Sequence, residues 1–168
     1  MTVRTPLPNE FSVAQSCFGC GPANPTGLGL VFEAVGQTVE APFRPTEQVS
    51  GAPAFVHGGI VMTLLDEAMA WSTIGIRRRF ALTKDFRADF AVPVMVGGSY
   101  VVRATPGPLV DGDREITVTA EVADVVGTIC ATAQGTYWVM TAEDTAAAIG
   151  MPPLTEEFLA YDFPEVPS

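Results

Sequence analysis

The chain is short of the features that most often announce a function. No uninterrupted apolar run approaches ~18 residues, so no membrane span is expected. The opening residues, Met1-Thr2-Val3-Arg4-Thr5-Pro6, lack the apolar core of a signal peptide, and the cytoplasm is the expected location. Positive charge is scarce. Nine Lys and Arg stand against 19 Asp and Glu, a net charge of -10 that argues against a general nucleic-acid or anionic-membrane binder. Histidine occurs once, as His57, and a lone histidine is more often structural than a general base. The three cysteines, Cys17, Cys20 and Cys130, are an odd number, which argues against a disulfide framework. Cys17-Phe18-Gly19-Cys20 has C-x-x-C spacing, but there is no second such pair. Only Cys130 and His57 could complete a four-ligand zinc set, so a tight structural loop without metal is expected.

What is present points to one domain with a sizeable core. A hydrophobic content of 48% over 168 residues argues against disorder. Residues 1–16 read as an irregular arm, 17–140 as the folded domain, and 141–168 as an extension with short helices. Five of the nine positive charges (Arg77, Arg78, Arg79, Lys84 and Arg87) fall close together. They either complement the end of a helix or seat a phosphorylated ligand.

The centre of the pattern is residues 60–74, dense in helix formers and free of Pro and Gly. Such a helix would be about 22 Å long. Gly75 is the expected stop, with Arg77 to Arg79 against the negative end of the dipole. The helix is apolar nearly all round, which predicts burial, yet Asp66 and Glu67 sit in its middle. A buried carboxylate is costly unless paired or functional. Asp66 could act as base or nucleophile. The competing reading is a structural acid satisfied by the hydroxyl of Thr63 or Thr73. Glu67, turned about 100° away, is expected to be a structural partner beside the ligand, or the active acid in place of Asp66. At the helix start, His57-Gly58-Gly59 offers unpaired N–H groups where negative charge on a carbonyl oxygen is welcome.

Around this helix, alternation predicts strands. Leu28, Leu30 and Phe32 turn at Gly36-Gln37 into Val39, Ala41 and Phe43, with Pro42 marking an edge or bulge. Residues 86–92, 100–105, 115–122 and 128–139 follow, the last apolar on both faces and so expected to be central. In the tail, Thr141 with Asp144 resembles a helix cap and Gly150 an end. The result is an α+β arrangement: a curved antiparallel sheet of five to six strands wrapped around one long helix, its open edges suited to pairing with another copy.

This order, together with His57-Gly58-Gly59-x6-Asp66, resembles the hotdog-fold acyl-CoA thioesterases, in particular the phenylacetyl-CoA-thioesterase-like branch. The resemblance covers residues 17–139. It includes the Cys17-to-Leu28 segment and Leu82-Thr83-Lys84-Asp85-Phe86 leading to Pro93. It implies a hotdog fold, a homodimer that can stack to a homotetramer, and an acyl-CoA substrate whose CoA is part of the substrate, with no separate cofactor. It further implies that the N–H groups of Gly59 and Gly58 polarise the thioester carbonyl. Asp66 of the partner chain would attack that carbonyl or activate water, assisted by Thr83. His57, Gln48 and Glu67 would lie near the substrate, and Arg77 and Arg78 near the CoA phosphates. In one respect the chain departs from its relatives, some of which carry Asn or Gln six residues before the His. Here that residue is Gly51, with Gln48 and Ser50 nearby. Either a neighbour substitutes or the assisting role is absent, and the second case fits a protein that binds acyl-CoA or another hydrophobic small ligand without turning it over.

Overall fold

The structure, a computed structural model, describes residues 3–7 and 16–149. Its sheet contains β1 (Arg4–Pro6), β2 (Glu33–Val35), β3 (Thr38–Phe43), β6 (Ala81–Phe90), β7 (Tyr100–Pro106), β8 (Glu115–Asp124) and β9 (Ile129–Val139). The spatial order is β1-β2-β3-β7-β8-β9-β6, antiparallel throughout. A separate ribbon, β4 (Ser50–Ala52) with β5 (Phe55–Val56), delivers the chain to helix α1 (Gly58–Arg77). The helix lies against β3, β6, β7, β8 and β9. Leu64, Leu65, Ala68 and Met69 are fully buried on it. Each of the larger three contributes about 1.5–3 kcal/mol by leaving water, and truncating one to Ala would cost about 2–5 kcal/mol. By length and composition alone α1 could cross a bilayer, but half of its apolar window is buried within the fold.

Several elements differ from the sequence reading, each for a physical reason. The seventh strand, β1, comes from the arm expected to be irregular: Arg4, Thr5 and Pro6 pair with Val35, Ala34 and Glu33. The first hairpin strand begins at Glu33 and not at Leu28. Leu28 and Leu30 donate their N–H groups to Phe18 and Gly19 of the cysteine loop, so they cannot join the sheet. Leu30 and Phe32 still point inward, and Phe32 stacks on Trp71 with ring centroids 5.5 Å apart. Pro42 fits because β2 pairs only with Thr38 to Glu40, leaving no strand on its other side. Helix α1 does not stop at Gly75. It runs on to Arg77 and closes at Arg78, which adopts the left-handed conformation (φ 57°) with its N–H on the carbonyls of Ile74 and Thr73. Gly75 is needed for packing: a Cβ there would lie 2.5 Å from Leu7 Cδ1.

Strand β9 lies inside the sheet, flanked by β8 and β6, as expected, but only one of its faces is buried: Thr132, Gln134 and Trp138 on the other are exposed. Strand β6 is one edge of the sheet, and its apolar side chains are only partly covered: Leu82 and Phe90 are exposed on it, as is Val92 just beyond its end. The tail forms α2 (Ala142–Ile149), where the Thr141 hydroxyl and the Asp144 carboxylate cap each other. The expected stop at Gly150 and residues 151–168 lie outside the described residues, as does most of the arm.

Candidate active site

His57 caps α1: its Nδ1 accepts the Gly59 N–H at 2.9 Å. The same residue's carbonyl takes the N–H groups of Ile60 and Val61. Among the described residues the Gly58 N–H has no such partner, and the space where its Cβ would sit is open. In this conformation Gly58, and not Gly59, presents an available donor at the positive end of the helix dipole. Gln48 is exposed in a short 3-10 turn (Glu47–Val49), whose last carbonyl accepts the His57 N–H. Gly51 packs directly on the capping residue. A Cβ there would sit 2.9 Å from His57 Cα, so the position that carries an amide in some relatives has no room for a side chain.

Asp66 is half-buried, two turns along α1. Its Oδ1 accepts the hydroxyls of Thr83 and Tyr137, each at 2.7 Å. Tyr137 also reaches the Asp66 carbonyl at 3.2 Å. These hydroxyls arrive together because Thr83 on β6 stands opposite Tyr137 on β9, beside a bulge that takes Lys84 out of register. On β9 the buried face runs Ala131, Ala133, Gly135, Tyr137, so small residues precede the one large side chain under the helix. Burial, and then the bond to Asp66, hold the Tyr137 hydroxyl well above the usual phenol range, so it stays a donor. No hydrogen bond to Asp66 Oδ2 occurs among the described residues, leaving that oxygen open to take a proton or attack. The competing structural partners are engaged elsewhere: Thr63 donates to Gly59 and Thr73 to Ala70. Tyr137 was not anticipated from the sequence; its signal is a phenol on the inward face of a strand otherwise built of small residues.

Glu67 faces the cysteine loop. Cys17 Sγ lies 3.6 Å from each Glu67 carboxylate oxygen, and Cys20 joins them in one group whose ligand atoms all lie within 4.8 Å of one another. Desolvation pushes the Glu67 carboxyl up to about 7. Cys17 is lowered to about 5, chiefly by a hydrogen bond from Cys20, and that bond raises Cys20 in turn. Cys130 and His57, the partners considered from sequence, are not in the group.

Several members of the basic cluster have partners within the chain. Arg77 donates to the carbonyls of Gly107 (2.8 Å) and Pro106 (3.1 Å) and to Gln37 (3.2 Å), fastening the end of α1 to the end of β7. These bonds give Arg77 a structural role in the chain, alongside its expected place near the CoA phosphates. Lys84 pairs with Glu115 at 2.6 Å, Arg87 with Asp89 at 3.2 Å, and Arg79 approaches Asp111 at 4.0 Å. Arg78 is the left-handed cap. Its end of the helix lies about 28 Å from Gly58, at 1.5 Å per residue.

Residues 54–108 match the model of the thioesterase superfamily. No curated protein matches the chain. Among solved structures, a thioesterase superfamily protein is 23% identical, with a TM-score of 0.67 over 75% of this chain and 61% of its own. The PaaI protein of E. coli, from the phenylacetic acid degradation operon, is 18% identical, with a TM-score of 0.61 over 68% of this chain and 81% of its own. The protein smu.793 of Streptococcus mutans UA159, crystallised bound to acetyl CoA, is 19% identical, with a TM-score of 0.57 over 62% of this chain and 82% of its own. The chain therefore has the hotdog fold, and its residues 54–108, which include α1 with its glycine start and Asp66, carry the sequence pattern of the thioesterase superfamily.

Proposed function

We propose that this chain hydrolyses an acyl-CoA thioester to a carboxylic acid and free CoA, as a homodimer in which each site joins the helix start of one protomer to Asp66 of the other. The observation that carries this is the Asp66 carboxylate, fixed at Oδ1 by two hydroxyls and open at Oδ2, on the same helix as a glycine-paired N-terminus. Gly58 and Asp66 are eight residues apart, about 12 Å along the axis. One thioester carbonyl cannot touch both within a single chain, so a second copy is needed. The edge of β6, partly apolar and without a further strand among the described residues, is the natural place for it.

In this reading the Gly58 N–H, joined by that of Gly59 when His57 swings aside, polarises the carbonyl. Asp66 then takes a proton from the attacking water, or attacks the carbonyl itself to give a mixed anhydride that water opens. Either way the thiolate of CoA leaves. Thr83 and Tyr137 hold the acid in place, and the family resemblance offers Arg78 for a phosphate contact. The test is thiol release over a panel of short, medium and aromatic acyl-CoAs. Asp66→Asn keeps an oxygen for both hydroxyls, so it should fold and dimerise yet lose ~100- to 10,000-fold in rate. An unchanged rate would refute the assignment.

The packing of Gly51 on His57 favours a second reading, a hotdog protein that binds acyl-CoA without turnover, because no amide side chain can position water there. That reading requires binding across the panel with no thiol released.

A further inference from the structure

We propose that Cys17, Cys20 and Glu67 form a site for a soft divalent metal ion, zinc by ligand chemistry, which fastens the C-x-x-C loop to helix α1. The three donors come from a loop and a helix about 50 residues apart in sequence, yet their ligand atoms lie within 4.8 Å of one another. The spacing between Cys17 and Glu67 has the size a metal would impose. With a zinc–sulfur distance of about 2.3 Å, a zinc–oxygen distance of about 2.1 Å and a tetrahedral angle, sulfur and oxygen stand about 3.6 Å apart. Cys17 Sγ is 3.6 Å from both carboxylate oxygens.

The loop is shaped to receive the carboxylate. A Cβ on Gly19 would lie 2.5 Å from Glu67 Cδ and Oε2, so this position must be glycine for the acid to sit where it does. Backbone bonds from Gly21 to Cys17, Leu28 to Phe18 and Leu30 to Gly19 hold the loop in that shape. Charge argues the same way. Glu67 is largely buried and forms no ion pair among the described residues, and two thiols are weak compensation for a carboxylate. A divalent cation bonded directly to the carboxylate replaces those weak donors, the two thiols giving up their protons to solvent as it binds, and a thiolate pair selects zinc over the oxygen-loving metals. Two thiolates and one carboxylate make three protein ligands, with water completing the set on the exposed Cys17 side. A Cys17–Cys20 disulfide, the rival use of this spacing, would leave the carboxylate without its cation and the Gly19 cradle without a purpose.

The experiment adds cobalt(II), then zinc, to the reduced, metal-free full-length protein. Cobalt should bind at about one ion per chain, show thiolate-to-metal absorption and be displaced by zinc, and zinc should raise the melting temperature. Cys17→Ser, at an exposed position, should keep native circular dichroism and lose the absorption. Glu67→Gln and Gly19→Ala should each weaken zinc retention by more than about 100-fold, since outer-shell partners alone are worth 10–100-fold. Cys130→Ser, whose thiol faces the Thr128 carbonyl, should change nothing. A folded protein without the cobalt absorption, a spectrum and affinity indifferent to Glu67→Gln, or a Cys17–Cys20 disulfide forming equally fast with and without zinc would each overturn the proposal.

Discussion

Replacing Tyr137 by Phe removes one oxygen and nothing else, in a side chain with no solvent exposure. The lost hydroxyl makes a 2.7 Å bond to Asp66 Oδ1 and a longer one to the Asp66 carbonyl. A hydrogen bond to a charged group is worth about 1.5–3 kcal/mol, and a neutral one about 0.5–1.5 kcal/mol. Phe fills the same space, so no cavity contributes. Tyr137→Phe should therefore cost about 1.5–3 kcal/mol at neutral pH, with an unchanged urea m-value. For a chain of this length each kcal/mol is about 2–4 °C, so the melting temperature should fall by about 3–12 °C at fixed protein concentration. In an Asp66→Ala background only the carbonyl bond remains to be lost, and the same change should cost at least about 1 kcal/mol less. Equal costs in the two backgrounds would mean that the Oδ1 contact contributes nothing, and that the acid is not fixed as described.

Three further substitutions probe the surroundings. Gly51→Asn should not install the amide of the relatives. Its Cβ meets backbone at His57 Cα, so a loss of about 1–3 kcal/mol in denaturation and slower thiol release are expected, and faster release would contradict this. Gly75→Ala should yield less than the ~1 kcal/mol that alanine usually gives a helix, because Leu7 occupies the space. In a Leu7→Ala background that gain should appear, and no difference between backgrounds in urea titration would sink the packing argument. Arg77→Met should lower stability and leave the KM for acyl-CoA unchanged, whereas Arg78→Glu should raise KM for acyl-CoA but not for a pantetheine analogue. Steady-state kinetics on both substrates decides it, and a matching KM rise for Arg77→Met would return that residue to the substrate.

How much of this could be read from the chain depended on whether a residue's role is local. The placement of α1 follows from its run of helix formers, that of the strands from alternation, and the cap at Thr141 and Asp144 from a local motif. Asp66 stood out because an acid in an apolar helix is anomalous wherever the fold puts it. Its partners are another matter. Thr83 came from resemblance and Tyr137 was missed, since the pattern of β9 says which residues face inward but not which helical turn they meet. Glu67 and the cysteines lie 50 residues apart, and neither segment names the other. Gly75 looked like a terminator because the two uses of glycine, ending a helix and admitting a neighbour, leave the same letter in a sequence. A count of charges in the basic cluster cannot show the carbonyls that Arg77 holds.

The two borders of the sheet are not alike. Among the described residues, one border is a three-residue strand ending in Pro6, with Arg4 drawn onto Glu33 and Glu40, and the other is the ten-residue β6, with no strand beyond it. A ribbon that can be extended from only one margin cannot propagate as a filament. Two such ribbons meeting margin to margin about a twofold axis would each cover the other's long border, which limits growth beyond the pair.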